Sequence, residues 1–332
     1  MNYHSNGPAI EVQDLTKHYK ELEAVAGVSF QVAPGETFGF LGPNGAGKST
    51  TIDMLCTLVR PTAGSAHVAG FNVITHQTQV RRQIGLVFQD PTLDDYLTAH
   101  ENLEFHAELY GVSRDVRDER IRRVMEMVGL WDRRSDVVRV FSGGMKRRLE
   151  IARGLLHSPR VLFLDEPTVG LDPQTRSHIW NYINALKQQE STTMFLTTHY
   201  MDEAENCDRI AIIDQGKIVA MDTPEALKAG VGDDRVELRT PETEAAVAAL
   251  RTRFDLDPEV QGNTVIARVP KGEEFVPRLF SELTVRIDAV TVVRPTLDDV
   301  FMNYTGHTIR DAESSSTDRA RNNPFMRRHM RR

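Results

Sequence analysis

The sequence lacks any apolar stretch long enough to cross a lipid bilayer. A membrane-spanning helix needs roughly 20 consecutive apolar residues, whereas the apolar runs here, such as VLFL and IAII, have the length of β-strands. The opening residues, MNYHSNGPAIEV, contain no basic region followed by an apolar one. We therefore expect neither a membrane-spanning segment nor a secretory signal.

Cysteine is equally scarce. Among the 332 residues only Cys56 and Cys207 are present, and they have no metal-binding spacing. So small a number suits a reducing compartment. We expect both to be small packing residues, in the core or on a helix surface.

Acidic residues outnumber basic ones outside the C-terminal end. The formal net charge is −7, yet the last 15 residues, Asp318 to Arg332, contain six Arg and one Asp. The rest of the chain therefore carries 34 basic against 46 acidic residues. Because a nucleic-acid-binding protein usually has a basic face on its folded part, we expect no nucleic-acid partner.

What is present is the alternation of an α/β protein. Residues 8–41 alternate apolar runs with turn residues, which predicts mostly antiparallel strands and a buried last strand. Further on, IGLVFQ, VLFLDE and TMFLTTH are apolar runs that end in polar residues. Buried strands of an α/β sheet have this pattern, with ligands at their carboxyl ends.

A helical region interrupts this pattern over about residues 90–141. Thr98 and Glu101 form a capping box before residues with helical spacing. A second stretch, from Ile121 to Val128, repeats apolar residues on one helical face. We predict a helical subdomain inserted into the α/β core.

The rest of the chain predicts a second domain and a tail. We assign residues 8–230 to the core, and residues 231–306 then follow a β-α-β-β-α-β order, which predicts a small ferredoxin-like α+β domain. Residues 307–332 are polar and rich in Ser and Arg, so we expect disorder. Such a basic tail either contacts anionic lipid or is a solvated chain end.

The segment GPNGAGKST fits the phosphate-binding loop G-x-x-x-x-G-K-S. Its glycines let backbone N–H groups surround the β- and γ-phosphates, and the following helix adds a favourable dipole. Lys48 is predicted to neutralise phosphate oxygens and Ser49 to ligate Mg²⁺. The residues predicted to bind ATP in this loop are Gly42, Pro43, Asn44, Gly45, Ala46, Gly47, Lys48, Ser49 and Thr50.

Two adjacent carboxylates end the apolar run VLFLDE. Like charges at the end of a buried strand are costly unless a cation is near. We therefore predict that Asp165 holds Mg²⁺ through its water shell and that Glu166 acts on the attacking water. A surface turn is the alternative, and the phosphate loop makes it less favourable.

The segment FSGGMKRRLEIARG adds an anion site. Ser142 can cap the helix that follows, which presents N–H groups and a hydroxyl to an anion. Read alone, Ser-Gly-Gly is more often a loop. Together with the phosphate loop, VFQD, LDEP and TTHY in this order, residues 9–228 resemble the ATP-binding-cassette (ABC) ATPases, and Ser142, Gly143 and Gly144 resemble their signature motif.

This resemblance implies a P-loop NTPase core of the α/β class with an antiparallel β subdomain and an inserted helical subdomain. It implies that two copies of the chain hold two ATP molecules, each between one copy's phosphate loop and the other copy's signature motif. Tyr19 then matches the aromatic residue that stacks on adenine. The Mg²⁺ ligands implied are Ser49, Gln89 and Asp165.

The catalytic residues implied are Glu166, His199 and Lys48. His199, after TMFLTT, matches the switch histidine that contacts the γ-phosphate. Gln89 matches the glutamine that also reports to the membrane subunit. The chain departs from the usual family pattern at Met145, where Gln is common, and at Phe141, where Leu is common.

Two further segments refine the resemblance. VGLD, at Val169 to Asp172, resembles the subunit-contact loop, although Ser-Ala more often precedes Leu-Asp. RPTLDDVFMNYTG resembles the end of the ATPases of drug-resistance exporters of the daunorubicin/doxorubicin type. It implies a subunit of a drug exporter.

We therefore expect an ATP-hydrolysing subunit that energises export of a drug, lipid or other amphipathic compound through a separate membrane permease. It would lie in the cytoplasm, on the inner face of the cell membrane. The alternative is a non-transport ABC ATPase acting on DNA or ribosomes, but no long coiled-coil, zinc or second-cassette insertion is visible. A ligand-sensing role for residues 234–305 is compatible with export.

Overall fold

Two separately packed units form the chain, which a computed structural model describes over residues 7–190 and 192–309. One unit runs up to Thr223 and includes Ile309, and the other comprises Pro224–Thr308. The division falls before the Gly230 boundary that we expected, because the helix following Thr223 packs against the last helix of the second unit. None of the described helices has the length and apolar character of a bilayer-spanning helix.

The first unit contains two sheets and seven described α-helices. Its strands are β1 (Ile10–Tyr19), β2 (Leu22–Val32), β3 (Thr37–Leu41), β4 (Ala63–Val68), β5 (Phe71–Asn72), β6 (Ile84–Val87), β7 (Val161–Asp165), β8 (Thr193–Thr198), β9 (Arg209–Asp214) and β10 (Lys217–Asp222). Its helices are α1 (Lys48–Leu55), α2 (Gln77–Gln83), α3 (Ala99–Leu109), α4 (Arg114–Met127), α5 (Gly143–Leu155), α6 (Pro173–Glu190) and α7 (Met201–Ala204).

The larger sheet has six strands in the order β10-β9-β3-β8-β7-β6. All neighbours are parallel except β10, which forms an antiparallel hairpin with β9. Its central strands are apolar because they are buried on both faces, and phenylalanine rings fill one side, with Phe38 and Phe195 centroids 5.7 Å apart. The predicted α/β class is confirmed.

Strand register brings the polar strand ends together. Leu41, the last residue of β3, pairs with Thr198 of β8, and Asp165 of β7 pairs with Thr197. The loops after three neighbouring strands therefore leave the same edge of the sheet. This edge is where an α/β sheet binds its ligands.

The smaller sheet is antiparallel, in the order β2-β1-β4-β5. Its inward side chains, among them Ile10, Val12 and Val32, join one core with Phe38 and Phe163 of the larger sheet. This is the antiparallel β subdomain that the resemblance implied.

The helical region contains α3 and α4, with 3₁₀ turns at Trp131–Arg133 and Val138–Val140. The predicted capping box is confirmed, since the Thr98 hydroxyl accepts from the Glu101 N–H while the Glu101 carboxylate accepts from the Thr98 N–H. Ile121, Val124 and Met125 form the buried face of α4, as their spacing predicted.

The second unit contains a helix, a four-stranded sheet with two helices, and a closing helix. Its elements are α8 (Pro224–Val231), β11 (Asp234–Arg239), α9 (Thr243–Phe254), β12 (Glu259–Gln261), β13 (Thr264–Val269), α10 (Gly272–Glu282), β14 (Ala289–Val293) and α11 (Leu297–Thr305). The sheet order is β12-β13-β11-β14, and all its neighbours are antiparallel. The predicted basic tail, beyond Ile309, lies outside the described residues.

Candidate active site

The phosphate loop connects β3 to α1 and is closely surrounded by backbone. A Cβ atom on Gly42 would lie 2.2 Å from the Ile213 carbonyl oxygen, and one on Gly47 would lie 2.5 Å from that of Ala24. Gly47 also has φ of 105°, which is unfavourable for residues with a side chain. The loop is further held by a hydrogen bond from the Gly216 N–H to the Ala46 carbonyl.

Lys48 is the buried cation of the site. Its side chain is 4% exposed, and its Nζ donates to the carbonyl oxygens of Gly42 (2.8 Å) and Pro43 (3.1 Å). The same atom lies 3.2 Å from Glu166 Oε1. The ammonium is thereby aimed into the concavity of the loop, toward the carboxyl end of β7.

Asp165 lies beside the first turn of α1. Its Oδ1 accepts hydrogen bonds from the Ser49 hydroxyl at 3.2 Å and from the Thr197 hydroxyl of β8. Burial raises the pKa of Asp165, while these two hydrogen bonds act in the opposite direction. Hydroxyl and carboxylate oxygens therefore converge at one point next to the phosphate loop.

Glu166 is the point on which four loops converge. Its Oε1 lies 3.2 Å from Lys48 Nζ and 3.4 Å from His199 Nδ1, and its Oε2 accepts from Gln89 Nε2 at 3.4 Å. Burial raises the pKa of Glu166, but the interactions with His199 and Lys48 outweigh it, so the pKa is lowered. The carboxylate is therefore held in its ionised form.

The backbone of Glu166 has an uncommon conformation, with φ of 44°. A residue with a side chain in this left-handed region stores about 1–3 kcal/mol of strain, and such strain clusters at functional sites. The Glu166 N–H donates to the Thr197 hydroxyl at 3.0 Å, which holds the turn. The turn directs the Glu166 side chain toward Lys48 and His199 instead of along the strand direction.

Predicted site residues outside this cluster have different surroundings. Tyr19, at the end of β1, is 43% exposed, and Lys17 Nζ lies 4.9 Å from its ring centroid. The Ser142 hydroxyl caps α5 by accepting from the Met145 N–H at 3.3 Å, as predicted. Within the described part of the chain, no hydrogen bond or ion pair joins Ser142 to the phosphate loop.

The signature segment instead borders the loop that follows Glu166. A Cβ atom on Gly143 would lie 3.5 Å from the Leu171 side chain, and one on Gly144 would lie 2.4 Å from Thr175 Cγ2. The structure thus brings together Lys48, Ser49, Gln89, Asp165, Glu166 and His199, but leaves Tyr19 and Ser142–Gly144 apart from them.

Two buried charged groups near the site were missed by sequence reasoning. Glu203, in α7 just after His199, accepts a hydrogen bond from the Thr168 hydroxyl, and burial raises its pKa. Arg147, in α5, donates a hydrogen bond to the backbone carbonyl of Glu166. The only signal for Arg147 was its position on a helix face with Glu150, three residues on, which by itself indicates a surface ion pair.

The oxygen atoms of the site suit a hard divalent cation. Mg²⁺ is typically bound by one or two carboxylates together with substrate phosphates, and not by a protein cage. The arrangement of Ser49, Asp165 and Gln89 fits that pattern. Accordingly, the described residues contain no cluster of three or more His, Cys, Asp or Glu able to hold a metal alone.

Family profiles match both units of the chain. A profile described as ABC transporter matches residues 25–169, and one described as ATP-binding protein DrrA1-3-like, C-terminal domain, matches residues 223–305. The first match spans the phosphate loop and Glu166. The second corresponds to the unit Pro224–Thr308.

Curated relatives match over nearly the whole chain. A linearmycin resistance ATP-binding protein of Bacillus subtilis (strain 168) is 38% identical, over 91% of this chain and 100% of its own length. A daunorubicin/doxorubicin resistance ATP-binding protein of Streptomyces peucetius is also 38% identical, over 94% of this chain and 96% of its own length.

Solved structures of ATP-binding cassettes match about two thirds of the chain. The ATP-binding subunit of an ABC transporter aligns with a TM-score of 0.60 and 31% identity, covering 67% of this chain and 92% of that one. An ATP-binding cassette in a dimeric post-hydrolysis state, bound to ADP and Pi, aligns with a TM-score of 0.59 and 28% identity, covering 64% and 98%.

Proposed function

The chain belongs to the ABC transporter ATP-binding family, and from this premise we propose that it is the ATP-hydrolysing subunit of a drug exporter. The observation that carries the proposal is the convergence of Lys48, His199 and Gln89 within 3.4 Å of the Glu166 carboxylate. The relatives that match most of the chain are resistance proteins against linearmycin and daunorubicin. They support export of an amphipathic compound.

ATP is bound through the phosphate loop. Backbone N–H groups of Gly45 to Ser49 face the β- and γ-phosphates, and the N-terminal end of α1 adds its dipole. Lys48 contacts the phosphate oxygens and gives up some of its contacts with Gly42, Pro43 and Glu166. Because phosphate competes with Glu166 for the ammonium, bound ATP frees the carboxylate for water. Tyr19, exposed at the edge of the β subdomain, stacks on adenine.

Ser49, Asp165 and Gln89 hold Mg²⁺ in this proposal. When bound, the ion neutralises charge on the transferring phosphoryl group. The hydrogen bonds that Asp165 accepts from Ser49 and Thr197 support this role. A divalent cation also offsets the cost of burying Asp165 next to Glu166.

Glu166 orients and deprotonates the attacking water. Before ATP binds, His199 and Lys48 lower its pKa, so the carboxylate is ionised at neutral pH and able to accept a proton. His199 lies on the same side of the carboxylate as Lys48, and it donates to the γ-phosphate as charge develops. Hydrolysis on this arrangement is mainly positioning and electrostatic stabilisation.

The second half of each site comes from a second copy of the chain. Ser142–Gly144 lie apart from Lys48 in one chain, and the capped helix end has a positive dipole suited to an anion. The related dimeric cassette bound to ADP and Pi supports this arrangement. Two copies would therefore enclose two ATP molecules.

The permease is the remaining partner, and it holds the chain at the inner face of the cell membrane. The helical region carries side chains suited to docking, since Tyr96 is 81% exposed, Phe105 67% and Leu109 70%. Contact of the basic tail with anionic lipid is a further proposal, which concerns residues outside the described part of the chain.

Purification of the tagged full-length chain from membranes tests this function. We expect a multi-span membrane protein to co-purify and to raise the ATPase rate. A matched variant, Phe105→Asp, should lose the membrane protein while the isolated chain keeps its ATPase rate. Recovery with DNA or ribosomes in place of a membrane protein would overturn the proposal in favour of a non-transport ABC ATPase.

A further inference from the structure

A buried guanidinium lies between the signature end of α5 and the catalytic carboxylate. Arg147 is in the second turn of α5, the helix capped by Ser142, and is only 6% exposed. A buried arginine is costly unless its donors are satisfied. The position of its five N–H groups therefore indicates what the residue does.

Each of those donors has an acceptor. Nε donates to the Pro167 carbonyl at 2.6 Å, and Nη2 donates to the carbonyls of Asp165 (3.0 Å) and Glu166 (3.2 Å). Nη1 donates to the Phe88 carbonyl and to Glu150 Oε2. An arginine has five N–H donors in a rigid planar fork. All five donors of Arg147 are therefore hydrogen-bonded.

The acceptors flank the catalytic side chains on both sides. Three consecutive carbonyls, from Asp165 to Pro167, belong to the turn that gives Glu166 its left-handed conformation. The fourth carbonyl belongs to Phe88, which directly precedes Gln89. One guanidinium therefore fixes the backbone of both residues that contact each other at 3.4 Å.

Glu150, three residues further along α5, extends the connection. It is 1% exposed, and its Oε1 accepts from the Thr92 N–H at 2.7 Å while its Oε2 accepts from Arg147. Arg153, another turn along, donates to the Thr92 carbonyl at 2.9 Å. The segment from Phe88 to Thr92 is thereby fastened to α5 by side chains of that helix.

We propose that Arg147 is a positioning residue for ATP hydrolysis, which couples the Ser142 end of α5 to Glu166 and Gln89 of the same chain. The inference rests on the proposed function, in which Ser142 contacts the ATP bound by a second copy. Movement of α5 upon that contact is passed through a planar, fully bonded group to the turn at Glu166. Each half of the dimer thus adjusts its own catalytic carboxylate to engagement of its partner's ATP.

The neighbouring arginine provides a matched control. Arg148 lies on the same helix, but its Nη1 donates to the Val128 carbonyl at 2.9 Å and to the Tyr182 hydroxyl at 3.2 Å. It carries the same charge and is also partly buried. Its described contacts do not include the backbone around Glu166 or Gln89.

The experiment compares Arg147→Lys with Arg148→Lys in the full-length chain. Lysine keeps the charge but loses the planar fork. We expect Arg147→Lys to lower kcat by roughly 10- to 100-fold, because small misplacement of catalytic groups has effects of this size. Its KM for ATP should change little, and Arg148→Lys should keep both constants near wild type.

A second readout separates positioning from folding. In a Glu166→Gln background, Arg147→Lys should still form the ATP-dependent dimer, measured by size-exclusion chromatography, and its melting temperature should exceed the assay temperature. Equal losses in the two lysine variants, or a folded Arg147→Lys enzyme with wild-type kcat, would overturn the inference.

Should Arg147→Lys not fold, Glu150→Gln takes its place. This variant keeps Arg147 but weakens the hydrogen bond from the Thr92 N–H to the side chain of residue 150. We therefore expect a smaller loss of kcat and an unchanged KM for ATP. An unchanged kcat would contradict the coupling. Failure of the proposed function is distinguishable, because wild-type chain would then neither hydrolyse ATP nor dimerise with it.

Discussion

The carboxyl edge of the six-stranded sheet and the helical region treat buried titratable groups in opposite ways. At the sheet edge, Glu166 is ionised and lies against Lys48. In the helical region, burial and the charge of Arg153 lower the pKa of His106 to about 3, and burial also lowers the pKa of His157, which follows α5. Charge is concentrated and paired in the first region, whereas the lowered pKa values favour neutral imidazoles between α3 and the end of α5 in the second.

This difference suits the two regions to different roles, charge stabilisation at the sheet edge and packing between helices in the other region. A paired, ionised cluster is suited to stabilising changes of charge during a reaction. A layer of neutral rings, in which the Tyr110 centroid lies 4.5 Å from that of His106 and 4.1 Å from that of His157, is suited to packing.

The largest effect is expected from Glu166→Gln. Glutamine has the same shape but cannot accept the proton of water, so turnover should fall by about 100- to 10,000-fold. ATP binding should be retained, and the ATP-bound dimer should accumulate. Steady-state ATPase assays and size-exclusion chromatography measure both, with Glu126→Gln on the exposed face of α4 as the control. A Gln variant that turns over near the wild-type rate would contradict the assignment.

A smaller change in turnover is expected when two inactive variants are mixed. Such a mixture tests whether Ser142 contacts the ATP bound by the other chain. Ser142→Ala and Lys48→Ala should each lose about 100-fold or more in turnover, because each removes a donor to the phosphates. Mixed at equal amounts, they should recover up to roughly a quarter of wild-type turnover, since random pairing gives dimers with one intact site.

The control mixture is Lys48→Ala with Glu166→Gln. Lys48 and Glu166 of each site belong to the same chain, the one that supplies the phosphate loop. Each site of a mixed dimer therefore has one of the two defects, and no recovery is expected. Recovery in this control, or none in the first mixture, would show that Ser142 does not complete its partner's site.

The smallest effect is the change in the free energy of unfolding with pH that is expected from His106 in the helical region. The folded-state pKa of His106, about 3, lies below its ordinary value of 6.5, so the unfolded chain binds an additional proton between these values. Stability should therefore fall as pH decreases below about 6.5, by no more than about 1 kcal/mol per pH unit after solvent screening.

His106→Asn checks that sign. Urea unfolding at pH 7.5 and pH 5.5 should give a smaller difference in free energy of unfolding for the variant than for wild type. Residual dependence is expected from His157, whose pKa is also lowered. An undiminished difference would mean that His106 does not contribute.

Much of the site could be predicted because its residues follow strands with clear patterns. Asp165 and His199 each come directly after an apolar run, Lys48 follows another through the phosphate loop, and parallel strands end at one edge. The capping groups of Thr98 and Ser142 were equally local signals. Direct contact of Glu166 with both Lys48 and His199 needed the structure, because it depends on the left-handed turn at Glu166.

Long-range contacts explain what sequence reasoning missed. The backbone carbonyls that accept from Arg147 lie 18 to 59 residues away in sequence, and no local pattern predicts them. The division before α8 has no sequence signal for a similar reason, since α8 packs against α11 and no turn pattern marks that contact. The role of Tyr19 stays a prediction, because 43% of the residue is exposed and its ring contacts Lys17.

The close approach of backbone to the phosphate loop has a consequence for sequence variation. Gly42 and Gly47 are confined by the carbonyl oxygens of Ile213 and Ala24, which are present whatever side chains those positions carry. The loop should therefore tolerate side-chain changes in the strands around it while rejecting even alanine at Gly42 and Gly47. Variation around the site would then be free to adjust the protein to new partners without altering how phosphate is held.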